Sequence, residues 1–122
     1  MRHTIDLTGE DFLPTLDRGG LVLIDFWAPW CAPCRAFGPI FEEVAGEHPE
    51  ATFAKVNTEQ EQGIAGALGI RSIPTLMVVR DGVVLAMQAG MLPAAALRDL
   101  VRQAQALDMD AVRAEAVAER PH

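Results

Sequence analysis

Cys31 and Cys34 stand three positions apart in the run FWAPWCAPCRAFGPIF, and they are the only cysteines in the chain. Thiols at i and i+3 in the first turn of a helix share one face, within the Cα separation of about 4.4–6.8 Å that a disulfide needs. A bond there can form and break with little backbone movement. The position at the helix N-terminus meets free N–H groups and the positive end of the dipole, which favours a thiolate. Exposed and electropositive, Cys31 is the expected nucleophile and Cys34, one turn in, the resolving thiol. Pro33 fits a first turn at no cost in hydrogen bonds, because its missing N–H has no intrahelical partner there. Two other chemistries are weaker. A structural zinc site needs four ligands, and the histidines (His3, His48 and His122) stand at no ligand spacing. A purely structural disulfide across so short a loop removes little unfolded-state entropy.

Asp25 interrupts the apolar run LVLIDFW, six positions before Cys31. Two compatible roles are open to it. It can pair with Lys55, which lies mid-strand in ATFAKV, or it can be a buried general base that exchanges the Cys34 proton through water. Trp27 and Trp30 flank the cysteine loop; one ring could be simple core, although a large ring beside an exposed thiol more often serves as contact surface.

The elements that must position these groups follow from periodicity and punctuation. Ile5–Leu7 reads as a short strand, and Thr8 caps a helix limited by Pro14 and Gly19-Gly20. Leu21–Trp27 is apolar on both alternating faces, as in a strand buried under helices on both sides. A helix follows from about Cys34 to Gly46 and is kinked at Pro39. Ala51–Val56 is a strand. Thr58 and Glu61 form a capping box for a helix that ends at Gly69. Thr75–Val79 and Val83–Ala89 form a hairpin about Asp81-Gly82, and a helix carrying Leu97, Leu100, Val101 and Ala104 follows Pro93. Alternating strands and helices, then a hairpin and helix, predict a mixed sheet.

At 122 residues, half hydrophobic and 22% charged, the chain is expected to be one soluble domain. Its net charge of −7 argues against nucleic acid and anionic lipid as partners. There is no apolar span of about 18 residues and no secretory signal pattern, and cysteine usage suits a reducing compartment, so a cytoplasmic location is expected.

With these residues in place, a resemblance is plain. DFWAPWCAPCR resembles the active-site segment of thioredoxins, and IRSIPT (Ile70–Thr75) resembles their cis-proline loop. The likeness runs from about Ile5 to Leu107. IDFWAPWCAPC, FAKVNTE and GIRSIPT are most similar to the thioredoxin-two branch, whose N-terminal zinc ribbon this sequence does not contain. Ala32 stands where the family has glycine between the cysteines.

The resemblance implies an α/β fold with a central mixed sheet of about five strands and helices on both faces. It implies a domain over residues 1–107, followed by a helical or flexible extension over 108–122. It assigns Asp25 and Lys55 to catalysis beside the cysteines. Trp30, Ala32, Pro33, Ile73, Pro74 and Gly90 become the substrate-binding surface. With Ile73-Pro74 cis, Pro74 lies against the disulfide, Ile73 offers backbone groups to an extended substrate, and Gly90 allows close approach. The implied activity is protein-disulfide reduction by a monomer without a bound cofactor or metal. An NADPH-dependent thioredoxin reductase recycles it, since this chain has no nucleotide-binding loop. Two rivals are a binding module that uses the same groove without turnover and an extracytoplasmic thiol oxidase. Asp25 and the missing signal speak against the oxidase.

Overall fold

The computed structural model describes residues 2–118, with side chains through residue 115. Strands β1 (Ile5–Asp6), β2 (Leu21–Trp27), β3 (Thr52–Asn57), β4 (Thr75–Arg80) and β5 (Val83–Ala89) form one sheet in the order β1-β3-β2-β4-β5. β1, β3 and β2 are parallel, and β4 and β5 each run antiparallel to their inner neighbour. The helices are α1 (Gly9–Asp17), α2 (Ala32–Glu47), α3 (Gln62–Ala67), α4 (Ala94–Ala106) and α5 (Met109–Ala118).

Alternation along the strands divides the core. On one face Leu21, Leu23, Phe53, Leu76 and Val78 pack with Phe37, Phe41 and Val44 of α2 and Leu97 and Val101 of α4. On the other, Val22, Ile24, Phe26, Ala54 and Val56 pack with Phe12 of α1 and with Ile64 and Leu68 around α3. β2 is therefore buried on both faces, as its unbroken apolar run requires. Phe41 sits between Phe37 and Phe53, with ring centroids 5.8 and 5.2 Å away in tilted geometry. The hairpin turn uses two left-handed residues, Asp81 (φ 52°) and Gly82 (φ 80°), the conformation that matches strand twist in a two-residue loop.

Three local expectations change. α1 runs through Pro14, because that residue is exposed and the hydrogen bond it forfeits lies on the solvent side. α2 begins at Ala32 rather than Cys34, since Pro33 is compatible with a first turn and Cys31 becomes the N-cap. The Thr58–Glu61 capping box does not form, and α3 starts only at Gln62. Thr58 instead donates from both its N–H and its hydroxyl to the Trp27 carbonyl, at 2.9 and 3.2 Å. The Glu61 carboxylate accepts from the Gly9 N–H at 2.7 Å. Tertiary partners have taken both halves of the local cap.

Beyond α4 the chain stays on the domain. The Arg80 guanidinium donates to the carbonyls of Ala104, Gln105 and Leu107 at 2.8, 2.9 and 2.7 Å, which satisfies groups the helix end leaves free. Asp108 caps α5 through the N–H groups of Asp110 and Ala111, and Met109 is buried. The expected extension over 108–122 includes residues 119–122, His122 among them, which lie outside the described residues.

Candidate active site

The end of β2 and the start of α2 bring the cysteines together. Cys31 and Cys34 are joined by a disulfide with a Cα separation of 5.2 Å. The Cys31 sulfur accepts from the Cys34 backbone N–H at 3.2 Å, so it occupies the place of a capping oxygen at a helix N-terminus. Exposure does not separate the two residues: Cys31 is 4% exposed and Cys34 3%. The expectation that Cys31 is the exposed one is thus corrected. What distinguishes it is its position among free N–H groups, and Ala32 and Pro33 beside it are exposed.

A second loop closes over this turn. Ile73-Pro74 is cis, and the Ile73 carbonyl oxygen lies 3.7 Å from the Cys31 sulfur. The Thr75 hydroxyl donates to the Ser72 carbonyl at 2.6 Å and ties that loop down. Gly90, at φ +90°, donates its N–H to the Pro74 carbonyl at 2.8 Å. That backbone conformation suits glycine, which has no Cβ to clash. Trp30 is 64% exposed next to Cys31, while Ile73 is half-buried. Trp30, Ala32, Pro33 and Ile73, the side chains on this side of the disulfide, are all uncharged and largely apolar.

Below it, Asp25 is fully buried, and neither of its carboxylate oxygens has a hydrogen-bond partner. Burial pushes its carboxyl from 3.8 up to about 7, against the opposing pull of the Lys55 ammonium. Lys55 is the parallel-strand partner of Asp25, as the sequence suggested. The expected ion pair is not formed, because the ammonium lies over the Trp27 ring, 4.4 Å from its centroid. A cavity of about 530 Å³ is bordered by Trp27 and Lys55 together with Cys34 and Gly38.

Two contributors were not anticipated from sequence. Arg35 donates to the Pro29 carbonyl at 3.0 Å and holds the loop before Cys31, and Thr75 anchors the cis-proline loop. Periodicity carries no signal for either, since both act through backbone carbonyls reached only in the folded chain. Among the described residues, no group of three or more His, Cys, Asp or Glu could hold a metal ion, and no helix is long and apolar enough to cross a membrane.

Comparison with known proteins agrees with this geometry. A sequence model of the family described as thioredoxin matches residues 3–103. The chain is 52% identical over 120 residues to a putative thioredoxin 2 of Streptomyces coelicolor, covering 98% of this chain and 89% of that one. It is 40% identical over 105 residues to a thioredoxin of Haemophilus influenzae, covering 84% and 98%. Among solved structures, a mutant thioredoxin from Halobacterium salinarum superposes with a TM-score of 0.80 at 29% identity, covering 88% of this chain and 96% of that one.

Proposed function

This chain belongs to the thioredoxin family and is a thiol-disulfide oxidoreductase of the protein-disulfide-reductase type, and we propose the residues and steps by which it acts. In the reduced protein, the Cys31 thiolate attacks one sulfur of a substrate disulfide. The Cys31–substrate bond forms, the substrate S–S bond breaks, and the leaving sulfur departs as a thiolate that takes a proton from solvent. Cys34 then passes its proton through water to Asp25 and attacks the Cys31 sulfur. The mixed disulfide breaks, the second substrate sulfur leaves as a thiolate that takes a proton from solvent, and Cys31–Cys34 is oxidised. Two electrons have passed from the dithiol to the substrate.

The observation that carries this reading is the Cys31 sulfur at the N-cap of α2, hydrogen-bonded by the Cys34 N–H and bonded covalently to Cys34. The uncompensated Asp25 carboxyl, with its midpoint pushed up near neutrality, suits a group that must both take and return a proton at that pH. Lys55 moderates it. Trp30, Ala32, Pro33, Ile73, Pro74 and Gly90 receive an extended substrate segment, with the free backbone groups of Ile73 pairing in strand fashion. Residues 1–107 form the reductase domain, and 108–122 are an extension to it.

An NADPH-dependent flavoprotein thioredoxin reductase restores the dithiol, and the protein works as a monomer in the cytoplasm on disulfide-containing proteins. Reduction of insulin disulfides, with NADPH and a thioredoxin reductase as electron source, is the direct test. NADPH oxidation that depends on both this protein and insulin supports the reading. Its absence refutes it.

A further inference from the structure

Strands β1, β3 and β2 carry a row of charge in register. Asp6 of β1 faces Lys55 of β3, and Lys55 faces Asp25 of β2. All three stand on the α2 side of the sheet. Their strand neighbours two positions away, Leu23 and Phe53, enter the core under α2, whereas Leu7, Ile24 and Ala54 enter the opposite core. The row grades from water into the interior. The Asp6 side chain is 63% exposed, and both its oxygens are held by Arg2 at 3.0 Å. Lys55 is half-buried, and Asp25 is fully buried without a hydrogen-bond partner. Lys55 is also the only lysine in the chain. One flexible cation thus stands between a solvated carboxylate and an unpartnered one, and Arg2, Asp6, Lys55 and Cys34 border a single cavity.

We propose that Asp6 and Arg2 are positioning residues for the disulfide chemistry, setting through Lys55 how readily Asp25 exchanges the Cys34 proton. The proposal rests on the reading of Asp25 as the proton acceptor. An ammonium is a compact charge on a four-carbon stem, so a small displacement changes the field it exerts on each neighbour. Asp6 draws that charge outward. Arg2 quenches Asp6 and so leaves more of Lys55 to Asp25. The hydrogen bonds from Arg2, reinforced by the fields of Arg2 and Lys55, hold the Asp6 carboxyl below its ordinary range, so Asp6 stays charged throughout the working pH range.

The other charged groups facing this row are held by their own partners. Glu42 of α2 accepts from the His3 N–H, and Arg35 of α2 donates to the Pro29 carbonyl. Glu61, beside Asp6 and Lys55 before α3, accepts from the Gly9 N–H. β4 places only Leu76 opposite Asp25. The Arg2–Asp6 pair is therefore the adjustable part of the row.

The two residues should act with opposite sign. The test is a carboxyl-carbon NMR titration of Asp25 in the oxidised full-length protein, where the cysteines do not titrate. Asp6→Asn should lower the Asp25 midpoint by roughly 0.2–0.7 on the pH scale, the size expected of a partly exposed charge pair. Arg2→Gln should raise it by a similar amount. Both changes should shrink by more than half in a Lys55→Gln background, and the pH–rate profile of disulfide reduction should move in the same direction as each midpoint. Changes of the same sign in both variants, changes undiminished without Lys55, or no change at all would overturn the proposal. Because the titration is read without turnover, a wild-type protein that titrates as described but reduces no disulfide would refute the functional reading instead.

Discussion

The sulfur of Cys31 and the backbone N–H of Cys34 are 3.2 Å apart, across the first turn of α2. When the disulfide opens, that N–H and the helix dipole remain to stabilise negative charge on Cys31 and have no counterpart at Cys34. Cys34→Ser should therefore accumulate a mixed disulfide with oxidised substrate, visible on a non-reducing gel, whereas Cys31→Ser should not. Equal trapping by both variants would remove the assignment of nucleophile and resolving thiol.

Asp25 makes a prediction about stability whose sign is fixed. Its folded midpoint of about 7 lies above the ordinary 3.8, so the folded state binds more protons than the unfolded state between those values. Stability carried by this group is complete below about pH 4 and is lost as pH rises through about 7. The loss is on the order of 4 kcal/mol, since each pH unit separating the two midpoints is worth about 1.36 kcal/mol. Glu42 and Glu47, whose carboxyls are lowered, work in the opposite sense, so the informative quantity is a difference. Urea unfolding of the oxidised wild type and of Asp25→Asn at pH 4 and pH 8 should show the variant gaining relative stability at the higher pH. Parallel curves would mean that Asp25 does not titrate in this window. The same variant should reduce disulfides more slowly near neutral pH, because the group proposed to accept the Cys34 proton is gone.

The chain after α4 should matter for stability and not for chemistry. Arg80 binds three carbonyls at the end of α4, and Met109 is buried beyond them, both contacts far along the chain from the cysteine loop. Met109→Ala should cost about 2 kcal/mol, the low end for a buried methionine since this one lies at the edge of the core. A protein ending at Leu107 should be destabilised by a similar amount, yet retain its rate of insulin reduction at 25 °C. A truncated protein that is folded by circular dichroism but inactive would show that the extension takes part in function.

Ala32 should set rates more than potential. Ala is favoured over Gly in a helix by up to about 1 kcal/mol, and only the part felt unequally by dithiol and disulfide can move the couple. At 30 mV for about 1.4 kcal/mol, Ala32→Gly should shift the reduction potential by less than about 20 mV. Equilibration with a glutathione buffer measures this, and a larger shift would mean that the methyl group strains one redox form. Because Ala32 is exposed beside the disulfide, the KM for protein substrates should change more visibly.

What the sequence determined was whatever local pattern controls. The unbroken apolar run of Leu21–Trp27 required a strand covered on both faces, and β2 is that strand to the residue. Asp81-Gly82 specified the hairpin, and the Cys31/Cys34 spacing specified a disulfide across one helical turn. Each of these is written in residues a few positions apart. Tertiary structure decided the competitions between distant partners. The Trp27 carbonyl drew Thr58 out of its capping box, and Gly9 took Glu61. The indole of Trp27 took the Lys55 ammonium, which left Asp25 buried without the ion pair that the strand sequences alone would suggest. A hydrogen-bonding or charged side chain has many partners within reach of its stem, and only the folded sheet sets which of them it meets. The same reason hid the row from Asp6 through Lys55 to Asp25: its members are 49 and 30 residues apart, and parallel register alone brings them side by side.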